Sequence, residues 1–94
     1  PDPDREVDIV TDQAPEVSSA LAHKVVAAVN KLREMDLAKP PGVAETIDWA
    51  RTLSFLGESD LSAGAADATL GAVIKERDDL ELVRDNLREV TSHA

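Results

Sequence analysis

Carboxylates are the most abundant side chains in this chain that are able to take part in catalysis or metal binding. The 94 residues include 19 Asp and Glu against 10 Lys and Arg, and they fall in close pairs at Asp78 with Asp79 and at Glu34 with Asp36. Pairs of this kind can bind a metal or share acid–base work, but only where burial or a like charge shifts a pKa. Both pairs fall at polar ends of predicted helices, where acids cap or stay solvated. No catalytic role is therefore predicted for them.

The remaining reactive residue types are few. His23 and His93 are far apart and share no metal-ligand spacing, so both are expected at the surface. Without cysteine there is no disulfide, thiolate chemistry or cysteine-ligated zinc. Ser18, Ser19 and Ser54 have no catalytic context and are expected as caps or helix-surface residues. The sequence thus predicts no catalytic residue and no metal site.

Charge and composition exclude several classes of function. A net charge of −9 disfavours binding to nucleic acid and to an anionic membrane surface, since both need clustered Lys and Arg. No apolar run approaches the length of a membrane span, and the lack of cysteine suits a reducing cytoplasm. The acidity either keeps the domain soluble or forms an acidic face for a basic partner.

Apolar residues recur at helical spacing throughout the chain, and no strand pattern is visible. The fold class is therefore predicted to be all-α, with a bundle of about five helices that forms a single domain over residues 1–94. Asp2 and Pro3 should start a short first helix that ends at Ala14. The second should run from Pro15 or Ser18 to Met35, with Leu37 folded back onto the core. Its buried face is predicted from residues at steps of four, four and three: Leu21, Val25, Val29 and Leu32.

Three further helices are predicted in the second half. The third should begin at Gly42 or Val43 and stop at Gly57, a suitable C-terminal glycine, with Trp49 at the edge of its buried stripe. Asp60 should cap the fourth, and Asp78 with Glu81 could form a capping box for the fifth. The expected core positions of these helices are Val43, Ile47, Ala50, Leu53, Leu56, Leu61, Ala65, Ala66, Leu70, Val73, Ile74, Leu80, Val83, Leu87 and Val90.

The segment Lys39-Pro40-Pro41-Gly42 is the most specific turn of the chain. Each proline lacks a donor N–H, and Pro40 keeps Lys39 out of helical conformation. Gly42 can be an N-cap with Glu45 as its capping-box partner. The turn should therefore hold the entry to the Trp49 helix in one geometry.

The run Leu32–Leu37 followed by KPPGVAETIDWA resembles the C-terminal helical lid of MoxR-family AAA+ ATPases, in the branch associated with von Willebrand factor A (VWA) domain proteins, the carbon-monoxide-dehydrogenase accessory type. The segment Pro1–Val10 resembles the stretch where such ATPases leave the nucleotide-binding core and enter the lid, and Thr69–Lys75 with Arg77–Glu81 resemble the closing helices of the family. No G-x-x-x-x-G-K-[ST] run exists, and the four glycines form no phosphate-binding array. The chain is therefore interpreted as a lid excised from a longer ATPase chain.

The resemblance implies a function for the longer protein. ATP and Mg would bind to its AAA+ core, which this lid would cover, in a hexameric ring that matures metalloenzymes together with a VWA-domain protein. The family's second-sensor arginine corresponds here to Ala44 or Thr46, so it is absent or replaced by Arg51 or Lys39. The nucleotide-proximal candidates are Gly42, Val43, Ala44, Thr46 and Arg51.

Two residues have alternative interpretations. Arg51 could reach a phosphate, or it could pair with Asp48 or Glu45 on the helix surface. Trp49 could be buried packing or a binding anchor. If Trp49 is an anchor, the chain would instead be a freestanding acidic helical protein-interaction domain.

Overall fold

A computed structural model of the chain describes residues 2–92. These residues form six α-helices, one 3-10 turn and no strand, which confirms the all-α fold class. None of the helices formed by residues 2–92 is both long enough and apolar enough to cross a membrane. In chain order they are α1 (Pro3–Gln13), α2 (Ser19–Glu34), α3 (Val43–Phe55), α4 (Ala63–Thr69), the 3-10 turn Leu70–Ala72, α5 (Arg77–Asp85) and α6 (Leu87–Val90).

The first two helices begin and end close to the predicted positions. The Asp2 side chain accepts a hydrogen bond from the N–H of Asp4 at 3.2 Å, and Pro3 occupies the first helical position. Ser18 caps α2 by accepting from the N–H of Leu21 at 3.1 Å. Both caps satisfy amide donors that have no partner within the helix.

The third helix has the predicted ends but a different buried face. Glu45 accepts from the N–H of Gly42 at 2.8 Å, and Gly57 takes a left-handed φ of 80°. The N–H of Gly57 donates to the carbonyl of Ser54, and the N–H of Glu58 donates to the carbonyl of Leu53. These two hydrogen bonds form a Schellman motif. The buried face comprises Thr46, Trp49, Ala50 and Leu53.

The predicted stripe was therefore wrong in three respects. Trp49 lies in the middle of the buried face rather than at its edge, and Leu56 is exposed. Val43 and Ile47 are only half-buried. The buried face is thus centred on Trp49, which is the largest of the fully buried side chains.

The helices of the C-terminal half are shorter and more often interrupted than predicted. Ser62 rather than Asp60 caps α4, and the helix tightens into the 3-10 turn after Thr69. Glu76 is the N-cap of α5, so the Asp78–Glu81 capping box was a wrong prediction. The predicted last helix divides at Asn86, whose side-chain amide donates to the carbonyl of Leu82 at 2.8 Å. Six α-helices thus replace the five expected within the described residues.

The core lies around α2, which packs against α1, α3 and α6, the last of these near its C-terminal end. Leu37 is buried as predicted, folding back after α2. Most of the buried side chains are aliphatic, and they surround the single tryptophan. The fully buried large side chains are Trp49, Leu21, Leu32, Leu53, Leu61, Leu70, Ile74, Glu6, Val10, Val25, Val26 and Val29.

Candidate functional site

One carboxylate lies wholly inside the bundle. Glu6 on α1 has no solvent-exposed surface, and Arg33 near the end of α2 donates two hydrogen bonds to it, at 2.7 Å to Oε1 and 2.9 Å to Oε2. The hydroxyl of Thr46 on α3 donates to the same Oε2 at 2.9 Å. Paired, fork-shaped contact of this kind is the strongest way for arginine to hold a carboxylate. Three helices therefore meet at one acid.

Arg33 also reaches the loop between α2 and α3. Its Nε donates to the carbonyl of Pro41 at 2.9 Å, and its Nη1 donates to the side-chain oxygen of Asn30 at 3.1 Å. One guanidinium thus joins α1 and α2 to Pro41, two residues before the start of α3. We call residues 35–42 the braced turn.

The ion pair changes the titration of Glu6. Burial by itself raises the pKa of this carboxyl, but hydrogen bonds from Arg33 and Thr46 and the positive charge of Arg33 outweigh it, so the pKa lies below its ordinary value of 4.5. Glu6 is therefore ionised at neutral pH. Its charge is matched inside the fold rather than by solvent.

A second buried carboxylate binds the other side of the braced turn. Asp79 on α5 is 3% exposed and accepts from the N–H groups of Ala38 at 2.8 Å and Lys39 at 3.0 Å. Both Asp78 and Asp79 lie in the first turn of α5, as expected of a helix end, but Asp79 is buried there rather than solvated. Only Asp78 is exposed.

All the amide donors between residues 38 and 42 are bound to carboxylates. Pro40 and Pro41 have no N–H. Asp79 binds the N–H groups of Ala38 and Lys39, and Glu45 binds that of Gly42. Of these acids only Glu45 was predicted, from its capping-box spacing, because Asp79 lies 40 and 41 positions away from the residues that it binds.

The nucleotide-proximal candidates separate into two groups. Gly42 and Ala44 are exposed at the first turn of α3, and Val43 is half-buried there. Thr46 faces inward, where its hydroxyl is occupied by Glu6 and by the carbonyl of Gly42 at 3.1 Å. A role of the exposed members in nucleotide contact stays a prediction.

Arg51 lies on the surface of α3, away from the braced turn. It pairs with Glu16 at 3.3 Å and donates to the carbonyl of Gln13 at 2.7 Å, so it ties α3 to the α1–α2 connection. The predicted pairing with Asp48 or Glu45 was wrong. The partners lie across the interface with α1 instead of along the same helix.

Trp49 is buried packing. It has no exposed surface, and its indole N–H donates to the hydroxyl of Thr69 at 2.7 Å. Any partner of this chain must therefore bind elsewhere than on a Trp49 face. Within residues 2–92, the most exposed large apolar side chains are Phe55, Leu56 and Leu82.

The other chemical candidates of the sequence are dispersed. His23 is exposed, as predicted, with its Nδ1 2.8 Å from the carbonyl oxygen of Ser19, while His93 lies outside the described residues. Glu34 and Asp36 are exposed and border a groove of about 650 Å³ between the end of α2 and α5–α6. Within residues 2–92, no three metal-ligating side chains come together.

Comparison with protein-family models, curated proteins and solved structures gives no significant match to the chain.

Proposed function

We propose that this chain is the C-terminal lid of a MoxR-type AAA+ ATPase, covering the nucleotide site of a core domain that belongs to a longer chain. The observation that carries the proposal is the braced turn. The segment with the most specific resemblance, Lys39–Gly42, is also the segment that the buried carboxylate of Asp79 and the guanidinium of Arg33 bind, and Arg33 is in turn paired with the buried Glu6. A lid needs such a rigid turn, because it must move as one body when nucleotide is hydrolysed.

The braced turn also limits how this lid would touch nucleotide. Helix N-termini attract phosphate through free N–H groups and the helix dipole, and Gly42 has no side chain that would cap those groups. The carboxylate of Glu45 lies at the same turn, however, and works against an anion there. No arginine occupies the sensor position. We infer a moving cover whose contact with phosphate is limited to the backbone N–H groups of Val43 and Ala44.

The remaining elements of the proposal come from the resemblance alone. The longer protein would bind ATP and Mg in its core, assemble as a hexameric ring in the cytoplasm and act with a VWA-domain protein in metalloenzyme maturation. Neighbouring subunits of the ring would contact the lid surface.

The coding sequence upstream of Pro1 tests the proposal directly. We expect it to encode a Walker A lysine and a Walker B acidic pair within one AAA+ core. A start codon immediately before Pro1 would overturn the lid assignment.

Arg51 offers a functional test in the full-length ATPase. It lies about 13 Å along α3 from Gly42 at 1.5 Å per residue, and its guanidinium is engaged by Glu16. Arg51→Ala should therefore leave ATP turnover within about a factor of ten of wild type. A much larger loss in a correctly assembled ring would mean that this lid senses nucleotide through Arg51.

The second candidate function is a freestanding acidic helical interaction domain. The observation that favours it is the exposure of Phe55, since a large aromatic side chain in solvent is a common feature of binding surfaces. The same upstream sequence separates the two candidates.

A further inference from the structure

Two apolar side chains project into solvent where α3 ends. Phe55 is 90% exposed and Leu56 is 58% exposed, and we call them the Phe55 patch. The Schellman motif at Gly57 fixes the backbone directly after them. The patch is therefore presented by ordered structure rather than by a loose loop, and it does not depend on whether the chain is a lid or a freestanding domain.

The positive charges near the Phe55 patch are already matched. Arg51, one turn earlier on the same side of α3, pairs with Glu16 at 3.3 Å. Lys24 pairs with Asp60, four residues after the patch, at 2.5 Å. Neither cation is left to balance further acids.

Two acids beside the patch are not matched. Asp48 lies seven residues before Phe55, on nearly the same side of α3 and about 10 Å along it. Glu58 follows the patch by two residues. Neither carboxylate has an ion-pair or hydrogen-bond partner within residues 2–92. The Phe55 patch is thus apolar at its centre and negative at its rim, in a chain whose net charge is −9.

A second copy of this chain is a poor occupant of such a surface. Two side chains supply far less than the roughly 800 Å² that each partner contributes to a stable interface. Two copies would also bring together the same unmatched carboxylates. Charge complementarity instead favours a cationic partner.

We propose that the Phe55 patch is a docking surface for a basic protein segment, one that receives Phe55 in an apolar pocket and places Lys or Arg side chains against Asp48 and Glu58. Aromatic anchors in the centre and charge pairs at the rim are the usual arrangement of a protein interface. The partner is thereby defined by its chemistry: a cationic segment with apolar side chains.

Selection of a random peptide library displayed on phage against the whole chain tests this proposal. We expect the selected peptides to combine aromatic or aliphatic residues with Lys and Arg. Synthetic copies should bind wild type and lose affinity at least about tenfold with Phe55→Ser. Binding should weaken in salt and with Asp48→Asn combined with Glu58→Gln.

Leu82→Ser is the matched control, because Leu82 is an exposed leucine on the groove beside α5. It should leave peptide binding unchanged, and both serine variants should keep the helical circular dichroism of wild type, since both side chains are at the surface. The proposal is overturned by selected peptides without basic residues, by binding that survives Phe55→Ser, or by failure to select any peptide. Sedimentation showing a dimer that Phe55→Ser dissolves would assign the patch to a second copy and would equally overturn it.

Discussion

Replacing Glu6 by glutamine removes the charge at the point where α1, α2 and α3 meet while keeping nearly the same shape. The partly buried Arg33 guanidinium would then lose its counter-ion, and breaking a fully buried pair costs about 3–5 kcal/mol. The Arg33 side chain is 21% exposed and keeps its bonds to Pro41 and Asn30. Because water can still hydrate part of the Arg33 guanidinium, we expect a cost at the lower end of that range, about 3 kcal/mol. A chain of this length has roughly 5–14 kcal/mol of stability in total.

Urea unfolding followed by circular dichroism measures this loss. With an m-value of about 1.5 kcal/mol/M, a loss of about 3 kcal/mol lowers the midpoint by roughly 2 M, and the melting temperature should fall by about 12–24 °C. Glu81→Gln is the matched control, because Glu81 is exposed and the substitution changes the net charge equally. The double variant Glu6→Gln with Arg33→Met should recover part of the lost stability, because it removes the unpaired positive charge of Arg33. If Glu6→Gln and Glu81→Gln agree within about 0.5 kcal/mol, the ion pair does not hold the turn.

Three further perturbations address the same interior. Because the pKa of Glu6 is below 4.5 in the folded state, the ionised carboxylate stabilises the fold above pH 4.5, and this stabilisation is lost as pH falls through the folded pKa. Thermal melts at decreasing pH should therefore show a steeper fall in melting temperature for wild type than for Glu6→Gln. Trp49→Ala should cost about 3–5 kcal/mol and Trp49→Phe less, measured by urea unfolding; a surface-like effect below about 0.5 kcal/mol would contradict the burial of the indole. Asp79→Asn should cost about 1–3 kcal/mol of stability and speed hydrogen exchange at the backbone amides of Ala38 and Lys39, because the asparagine side chain has only one acceptor oxygen. Asp78→Asn should do neither, and equal effects of the two variants would refute the bracing role of Asp79.

Features set by neighbouring residues could be predicted from the sequence. The cap at Asp2, the proline after it and the left-handed Gly57 each depend on a few adjacent positions, and all three occur as expected. The all-α fold follows from apolar spacing in the same way. The buried side of α3 was harder, because which face turns inward depends on where the bulk of Trp49 fits among the other helices.

The braces of the turn could not be predicted, because their partners are distant in sequence. Glu6 and Arg33 are separated by 27 positions, and Ala38 and Asp79 by 41. Among 19 acidic residues, periodicity gives no way to tell which two are buried. Arg51 shows the same limit, since its partner Glu16 lies on another element. The exposure of Phe55 likewise follows from packing and not from a local pattern.

The braced turn has a consequence for how this domain folds and how it can be shortened. Its two acids come from near the beginning of the chain and from α5, so residues 35–42 cannot be ordered until both ends of the domain are in place. The turn is therefore a cooperative link, which should suppress separate opening of α1 or α5 and make them exchange and unfold together. A shortened chain that begins after Glu6 would leave the partly buried Arg33 charge without its acid. The loss of stability would then arise at Arg33, 27 positions from Glu6.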